Sequence, residues 1–456
     1  MRSFDITNDE EDKILKNILF KSFQSCNINF LFGAGTSCPA ISTLGNVENE
    51  VQELIEKEEI EKADVKLFKF LKEIYDVVVK ISDADGIEDK IQETKTNYNN
   101  FVSWLNKILL NRKNDITKSS ANIFTTNYDL FLEYACELQG NYFNYNDGFS
   151  NKNNIFSVPK LNVSEFNKTI SYCTNLYKHS TTLPNVNLVK LHGSLNWDIE
   201  ANSGNIVLSE ISNTYSNICQ IYKDKKKNSK DKTIELIANV INSIGVIMPK
   251  KDKFRKTVME QSYYSFLRYF SNELEKENGI LFTIGFSFED EHIRDLIKKA
   301  LSTNPTLQLY ISVFNKDCYK KYEEFFKEFS NVSLIFNGDN FVFTEFSIFI
   351  ASSFSLNGCS LSFSVSLLIP EISVDIRQSV YSHLQVITSL CTAQSKPSER
   401  HNCFRILASG DFIFNILMLF FIYLFFALSE YELSNPIDLS SFSVFLSAYF
   451  TIISFI

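Results

Sequence analysis

A short apolar segment of this 456-residue chain runs directly into a turn that has almost no side chains. Residues 28–32 form a β-branched and aromatic run that suits a buried strand, and Gly33, Ala34, Gly35, Thr36 and Ser37 follow at once. Glycine allows unusual φ angles and a close approach of the backbone to a bound phosphate, which the N–H groups of a following helix can meet. The segment therefore predicts a strand, a tight turn and a helix start, as in an open α/β sheet.

This turn alone does not define a dinucleotide site. The third glycine of the full fingerprint would fall at Cys38, and no acidic residue stands at the usual ribose-reading distance in an obvious second strand. An ordinary tight turn after a strand explains the same residues.

Three further strand-like runs, at 121–125, 186–191 and 279–284, are each followed by small or polar residues. Those residues are 126–129 (TNYD), 192–197 (HGSLNW) and 285–290 (GFSFED). In open parallel sheets, ligands bind beyond the carboxyl ends of the strands. We therefore expect the four segments to converge on one crevice.

Several residues in these segments have both a structural and a chemical interpretation. Asp129 or Asn127 is a typical N-cap for a helix over 130–138. If Asp129 is the cap, the side-chain amide of Asn127 is free to meet a ligand hydroxyl or a water. His192 is one of five histidines, and Gly193 leaves its ring open to a cleft, where a histidine suits general-base chemistry. The alternative for His192 is a core histidine. Trp197 is expected to pack.

Taken in order, GAGTS, TTNYD, KLHGSLNW and GFSFEDEH resemble the sirtuin-like NAD-binding domain over about residues 22–345. More narrowly, TTNYD, NDGF at 146–149 and MPKKDKF at 248–254 resemble bacterial sirtuin-like proteins of anti-phage defence, such as those paired with HerA-type ATPases. The ordered set is more specific than any single motif.

The resemblance implies a Rossmann-like parallel sheet that binds NAD. It assigns the catalytic roles to Asn127, His192 and Asp129. The residues it places around NAD are Gly33, Ala34, Gly35, Thr36, Ser37, Thr126, Gly285, Ser287 and Asp290.

The cysteines separate this chain from sirtuin deacetylases, which carry a structural zinc on paired CxxC motifs. No two of the nine cysteines stand three residues apart, so a four-cysteine zinc site cannot form at that spacing and no metal is expected. Without that module, cleavage of NAD with water as acceptor is the favoured hypothesis. A protein deacylase or ADP-ribosyltransferase and a non-catalytic nucleotide sensor stay open as alternatives.

For the favoured reaction we expect nicotinamide to leave through an oxocarbenium-like transition state. Asn127 would order the water or the ribose hydroxyls, and His192 would act as base on one of them. The resulting hypothesis is a defence effector that depletes NAD in abortive infection, with a separate sensor or ATPase as partner. The net charge of −9 predicts no direct nucleic-acid binding.

Residues 47–112 are rich in Glu and Lys with interspersed apolar residues, and they predict an insertion of amphipathic helices. Within 101–113, Phe101, Trp104, Leu105 and Ile108 recur at helical spacing, which favours packing first and an oligomer or partner interface second. The insertion could also form a lid. Residues 141–156 predict a loop near the site.

After Glu345 the composition changes. Residues 346–456 contain eleven charged side chains, about half the whole-chain frequency of 22%. The sequence therefore predicts a catalytic domain over 1–345 and an apolar, mainly helical region over 346–456. Within it, 412–428 and 440–456 carry no charge and sit at the lower length limit for membrane spans.

Three interpretations of this tail stay open: a transmembrane hairpin, a packed domain that joins an oligomer core, and an altered reading frame. Lys396, Arg400 and Arg405 precede the first span and favour a cytoplasmic catalytic domain held at the inner membrane. The uncharged run 346–370 fits no clean helix or strand period. The charged N-terminus predicts no secretory signal.

Overall fold

The structure is a computed structural model, and it describes residues 1–42, 47–83, 87–112, 118–140, 143–150, 157–174, 179–200, 203, 205–224, 229–247, 257–338 and 341–355. The chain divides into two units, Met1–Ser360 and Leu361–Ile456. All of the second unit lies outside the described residues, so the description below concerns the first.

Fifteen strands lie within the described residues. They are β1 (Arg2–Asp5), β2 (Asn27–Phe32), β3 (Ser120–Thr125), β4 (Asn144–Asn146), β5 (Phe149–Ser150), β6 (Lys160–Leu161), β7 (Ser171–Thr174), β8 (His179–Thr182), β9 (Asn185–Lys190), β10 (Gly193–Ile199), β11 (Ile206–Leu208), β12 (Ile244–Val246), β13 (Gly279–Ile284), β14 (Gln308–Ser312) and β15 (Val332–Phe336).

Eleven α-helices lie within the same residues. They are α1 (Asp9–Ser25), α2 (Val47–Glu56), α3 (Ile60–Val78), α4 (Asp89–Leu110), α5 (Phe131–Leu138), α6 (Ile211–Asp224), α7 (Lys230–Ser243), α8 (Thr257–Leu274), α9 (Glu291–Thr303), α10 (Lys316–Phe326) and α11 (Phe343–Ser355).

The main sheet has eight strands in the order β1-β15-β14-β13-β2-β3-β9-β4, and every neighbouring pair is parallel. The predicted α/β class with a Rossmann-like parallel sheet is confirmed. The four strands that precede the predicted site, β13, β2, β3 and β9, are consecutive neighbours. Because they are parallel, their carboxyl ends meet at one edge.

Helices cover both faces of the main sheet, as is usual for a parallel sheet. Successive side chains of each strand point to opposite faces, so each strand contributes to both helical layers. Leu31 of β2 belongs to a buried cluster with apolar residues of α8, α9 and α10. Phe30 and Phe32 point the other way, where Phe101 of α4 lies 5.0 Å from each ring and Phe343 of α11 lies 5.4 Å from Phe32.

Two smaller sheets accompany the main one. Strands β12, β10, β11, β6 and β5 form an antiparallel sheet in that order, and β7 pairs with β8. Trp197 of β10 is buried and lies edge-on to Phe149 at 5.6 Å, which confirms its packing role. The predicted loop at 141–156 contains β4 and β5 among its described residues, so that prediction is wrong there.

The insertion between β2 and β3 is helical, as predicted, and comprises α2, α3 and α4. Phe101, Trp104, Leu105 and Ile108 are all buried on α4, so their helical spacing marks a packing face. Phe101 and Trp104 contact the aromatic side of β2, which places α4 directly over the sheet.

The predicted boundary after Glu345 falls inside α11, which continues to Ser355. Phe346 and Ile350 of this helix are buried, so the start of the uncharged run is helical and packs in the first unit. The predicted spans 412–428 and 440–456 lie outside the described residues. Among the residues that are described, no helix is long and apolar enough to cross a membrane.

Candidate active site

The glycine turn after β2 is packed tightly against the turn after β13. Gly33 and Gly35 donate their backbone N–H groups to the carbonyls of Ile284 and Gly285, each at 3.0 Å. A Cβ on Gly33 would lie 2.5 Å from the carbonyl oxygen of Gly285, and a Cβ on Gly35 would lie 2.8 Å from the Cα atom of Gly285. Gly285 itself has φ +60°, which favours glycine. The glycines therefore serve the contact between the two turns.

Ala34, Gly35, Thr36 and Ser37 form a single 3-10 turn, where the sequence had predicted the start of a longer helix. Thr36 donates its N–H to the carbonyl of Gly33 at 3.0 Å, so the N–H groups of Gly33, Gly35 and Thr36 are all used within the protein. Phosphate contact by this turn stays a prediction.

Asn127, Thr36, Ser37, Tyr98 and Asp129 form one hydrogen-bonded cluster, here named the Asn127 network. The Asn127 amide nitrogen lies 3.1 Å from Thr36 Oγ1 and 3.0 Å from Ser37 Oγ, and it also donates to the Gly33 carbonyl at 3.0 Å. Ser37 Oγ donates to Asp129 Oδ2 at 2.7 Å. Asn127 is 8% exposed and Asp129 is 6% exposed, so the network is largely shielded from water.

Tyr98 of α4 closes this network from the helical insertion. Its hydroxyl lies 2.7 Å from Thr36 Oγ1 and 3.0 Å from Ser37 Oγ. Burial, and then the nearby Asp129 carboxylate, raise the pKa of Tyr98 well above its ordinary value. Its hydroxyl therefore stays protonated and keeps a proton to donate. Sequence reasoning missed Tyr98, and only its helical spacing from Phe101 marked it as inward-facing.

Asp129 also supports the start of α5. Its Oδ1 accepts the backbone N–H of Phe131 at 3.2 Å, although the helix begins at Phe131 and its cap position is Leu130. The expected helix contact of Asp129 is thus present. The same carboxylate binds Ser37 through its other oxygen, so it joins the helix to the Asn127 network.

A buried ion pair lies behind Asp129, and no sequence pattern predicted it. Lys190, the last residue of β9, is 3% exposed; its Nζ lies 2.7 Å from Glu133 Oε1 and also donates to the Asp129 carbonyl. Burial raises the pKa of Glu133 to about 7, against the opposing effect of Lys190. The pair fixes α5 to the end of β9.

His192 and Asp290 form a hydrogen-bonded pair, separate from the Asn127 network, at the carboxyl ends of the central strands. Nε2 of His192 lies 3.0 Å from Asp290 Oδ2, and both side chains are partly buried. Asp290 Oδ1 accepts the N–H of Ile293 and caps α9. The carboxylate therefore holds the imidazole while being held by a helix. A histidine with one ring nitrogen oriented this way can use the other as a base.

The chain turns at Gly193, which has φ +83°, and then enters β10. The predicted polar segment after β9 is therefore mostly strand beyond His192. Tyr128, which lies between Asn127 and Asp129 in the chain, connects this segment to His192 through Ile247. The Tyr128 hydroxyl donates to the Ile247 carbonyl at 2.9 Å, and Ile247 donates its N–H to the His192 carbonyl at 2.8 Å.

The remaining predicted residues are Thr126, Ser287 and those of the NDGF and MPKKDKF segments. Thr126 donates its N–H to the Phe32 carbonyl at 3.1 Å between the ends of β3 and β2. Ser287 is exposed after β13. In NDGF, Asn146 and Asp147 accept backbone N–H groups of the turn between β4 and β5. The MPKKDKF segment at 248–254 lies outside the described residues.

All three predicted catalytic residues thus lie at the carboxyl edge formed by β13, β2, β3 and β9. Among the described residues, no cluster of three or more His, Cys, Asp or Glu side chains could hold a metal ion. The chemistry of the edge is that of amides, hydroxyls, one histidine and carboxylates. Such groups suit the orientation of a hydroxylated substrate and proton transfer.

The family comparison agrees with this geometry. Residues 121–335 match the family model described as a SIR2-like domain, which is consistent with a sirtuin-like domain in this part of the chain. The matched range begins at the second residue of β3 and contains Asn127, His192 and Asp290. The glycine turn precedes this range and follows β2, which pairs with β3. No curated protein matches the chain. A SIR2-like domain indicates NAD-dependent activity in the broad sense.

Proposed function

We propose that this protein is an NAD glycohydrolase that releases nicotinamide. The observation that carries the proposal is the placement of the Asn127 network and the His192–Asp290 pair at one edge of the main sheet, within a SIR2-like domain. NAD is the substrate in this proposal.

Asn127 has the position expected of a residue that orients a substrate. Its side-chain amide is held by contacts to Thr36, Ser37 and the Gly33 carbonyl, so it has little freedom to rotate. A preorganised amide loses little entropy when it orders a water or a ribose hydroxyl, and such orientation lowers the barrier. Nicotinamide leaves as a neutral group from a cationic ring, so strong acid catalysis is not needed.

His192 supplies the base in this mechanism. Asp290 accepts a hydrogen bond from Nε2 when that nitrogen carries the proton, which leaves Nδ1 with its lone pair. The base would take a proton from the attacking water or from a ribose hydroxyl. Asp129 acts through Ser37 in this arrangement and positions the network.

The test is nicotinamide release from NAD by the purified chain, with and without an acetylated peptide. Asn127→Ala should abolish release, because the oriented amide is lost. Since Asn127 also holds the glycine turn, we expect this variant to lose about 1–3 kcal/mol of folding free energy as well. Thermal unfolding measured beside activity separates the two effects.

Asn304→Ala is the matched control. Asn304 is also buried and donates to two carbonyls, those of Leu274 and Lys276, away from the proposed site. It should lose comparable stability and keep its activity. Normal turnover by a folded Asn127→Ala would refute the mechanism. Release only in the presence of the peptide would favour a deacylase, and NAD binding without release would favour a sensor.

We further propose that NAD depletion is the biological output, as an anti-phage defence effector of the abortive-infection type. Support comes from the sequence resemblance of TTNYD, and the proposal includes a homo-oligomer and a separate sensor or ATPase. Expression of the chain with and without phage infection, followed by measurement of cellular NAD, tests this role. NAD that stays constant during infection would remove it.

A further inference from the structure

The face of the main sheet that packs against α8 changes character along its strands. Near their carboxyl ends Leu31, Phe124 and Val189 lie in register and belong to the apolar cluster. Two residues earlier, Asn29, Asn122, Asn187 and Asn146 lie in register across β2, β3, β9 and β4. A buried parallel sheet is ordinarily apolar throughout, so this asparagine row is unusual.

A second polar row lies two residues further toward the amino ends of the strands. Ser120, Asn185 and Asn144 are in register on β3, β9 and β4, and Asn27 begins β2. Because residues two apart share a face, both rows lie on the same side of the sheet. This polar half of the face is at the edge opposite the candidate active site.

Helix α8 contributes polar groups over these rows. The Tyr269 hydroxyl donates to Asn122 Oδ1 at 3.1 Å and lies 3.2 Å from the Asn187 amide nitrogen. Asn122 Nδ2 donates to Glu273 Oε2 at 3.1 Å, and Glu273 is 5% exposed. Lys276 binds the same carboxylate at 2.6 Å. The rows and the helix thus share one hydrogen-bonded network.

A cavity of about 660 Å³ lies between this network and the solvent. Asn122, Asn187, Tyr269 and Glu273 line it, with Phe166 as an apolar wall. Its rim includes the exposed residues Lys118, Asn167 and Thr169. The volume is within the range of small-molecule sites.

One buried donor of the network is left without a partner in the described part of the chain. Asn29 is fully buried, its Oδ1 accepts from Asn122, and its Nδ2 makes no hydrogen bond there. Buried polar groups are nearly always satisfied by protein or by ordered water. Asn29 is not among the residues that line the cavity, so its amide marks a polar layer behind Asn122 and is not itself a ligand contact.

We propose that this cavity is a second binding site and that its ligand is an uncharged nucleoside. The lining amides and hydroxyl offer both donors and acceptors, as the edge of a nucleobase requires. Phe166 and Tyr269, with ring centroids 5.3 Å apart, provide aromatic surface of the kind on which bases stack. The lysines Lys118 and Lys276 balance the carboxylates of Glu273 and Glu277, which favours a neutral ligand.

Calorimetric titration of the full chain with adenosine, inosine, cytidine and uridine tests the proposal. Tyr269→Phe removes one hydroxyl from the cavity, and Glu273→Gln replaces a carboxylate with an amide of the same shape. Each should weaken nucleoside binding by roughly fivefold to tenfold. Tyr264→Phe is the matched control, because Tyr264 is on the same helix but is 65% exposed and outside the cavity. It should bind as the wild type does.

Asn167→Ala at the exposed rim provides a variant whose fold is not at risk, and it should also weaken binding. Because adenosine is part of NAD, each titration is repeated with Asn127→Ala, which should retain nucleoside binding at this cavity. Binding that is unchanged in Tyr269→Phe, Glu273→Gln and Asn167→Ala would overturn the proposal. So would the absence of binding by every nucleoside, or binding of glucose in their place.

Discussion

Tyr98 shows how a residue far away in sequence completes a site. It reaches the Asn127 network from α4, which belongs to the helical insertion, and it contacts two hydroxyls of the glycine turn. Asn127, Asp129 and His192 lie in polar segments that follow strands, and the resemblance gave them their expected catalytic roles. The sequence could not identify Tyr98, since nothing in a helical pattern tells which inward-facing residue meets a polar group.

Tyr98→Phe is expected to reduce NAD cleavage by roughly fivefold and stability by about 1 kcal/mol, because one hydroxyl leaves a network that holds Asn127. Nicotinamide release and thermal unfolding measure the two effects. Tyr75→Phe is the control, since its hydroxyl is also buried but donates to the Leu195 carbonyl. It should lose similar stability with full activity. Equal activity losses in both variants would make Tyr98 a purely structural residue.

His192→Ala should lower the rate of cleavage by roughly 100-fold or more, as expected when a general base is deleted. His292→Ala, an exposed histidine on α9, should leave the rate unchanged. The measurement is the rate constant for nicotinamide release at saturating NAD, compared between the two variants and the wild type. If His192→Ala keeps half of its rate, the histidine belongs to the packing around Tyr263, whose ring lies 6.2 Å away.

The sequence predicted the four central strands, β13, β2, β3 and β9, to within a residue or so of their observed bounds. Apolar runs that end in glycine or polar residues are strong signals for buried parallel strands. The signal fails for β4 and β5, which are three and two residues long and contain Asn and Ser. Such short strands form because a neighbouring strand pairs with them, which no local pattern reveals.

The attachment of α5 to β9 should make stability depend on pH. Glu133 has its pKa raised from 4.5 to about 7 in the folded chain, so the folded state holds this proton more tightly than the unfolded state does. Its contribution is therefore fully present below pH 4.5 and is lost as the pH rises through about 7. The expected size is on the order of 1–3 kcal/mol.

Glu133→Gln removes this titration. The free energy of unfolding, measured from pH 4.5 to 8 by denaturant titration, should fall more steeply in the wild type than in the variant. Parallel pH profiles would mean that Glu133 stays ionised beside Lys190 throughout. We expect Glu133→Gln to change activity only through its effect on stability, because the Glu133–Lys190 pair lies behind Asp129 and is not among the proposed reacting groups.

For the molecule as a whole, the change in composition at Glu345 does not coincide with the end of the described fold. Phe346 and Ile350 of α11 are buried, and Phe346 lies 6.0 Å from Phe282 in β13. A chain cut after Ser355 should therefore fold and cleave NAD, whereas one cut after Glu345 should unfold at a lower temperature. Equal melting temperatures would show that α11 adds nothing.

Fractionation of the full chain addresses the three interpretations of 346–456. Recovery with membranes and a need for detergent would support a hairpin through 412–428 and 440–456. A full chain that is soluble, beside a truncated chain that aggregates, would indicate a packed domain. A full chain found only as insoluble aggregate, beside an active truncated one, would favour an altered reading frame.

The asparagine row also bears on how faithfully the sheet assembles. Neighbouring strands rich in Phe, Leu and Ile could slide past each other by two residues and still present an apolar side to the core. A slip of that size between β2 and β3 would set Asn122 against Leu31 and strip its amide of Asn29. Such a misaligned pairing would lose the hydrogen bond between Asn122 and Asn29 and leave buried amides unpaired. The asparagine row therefore favours the observed alignment of the strands over one shifted by two residues.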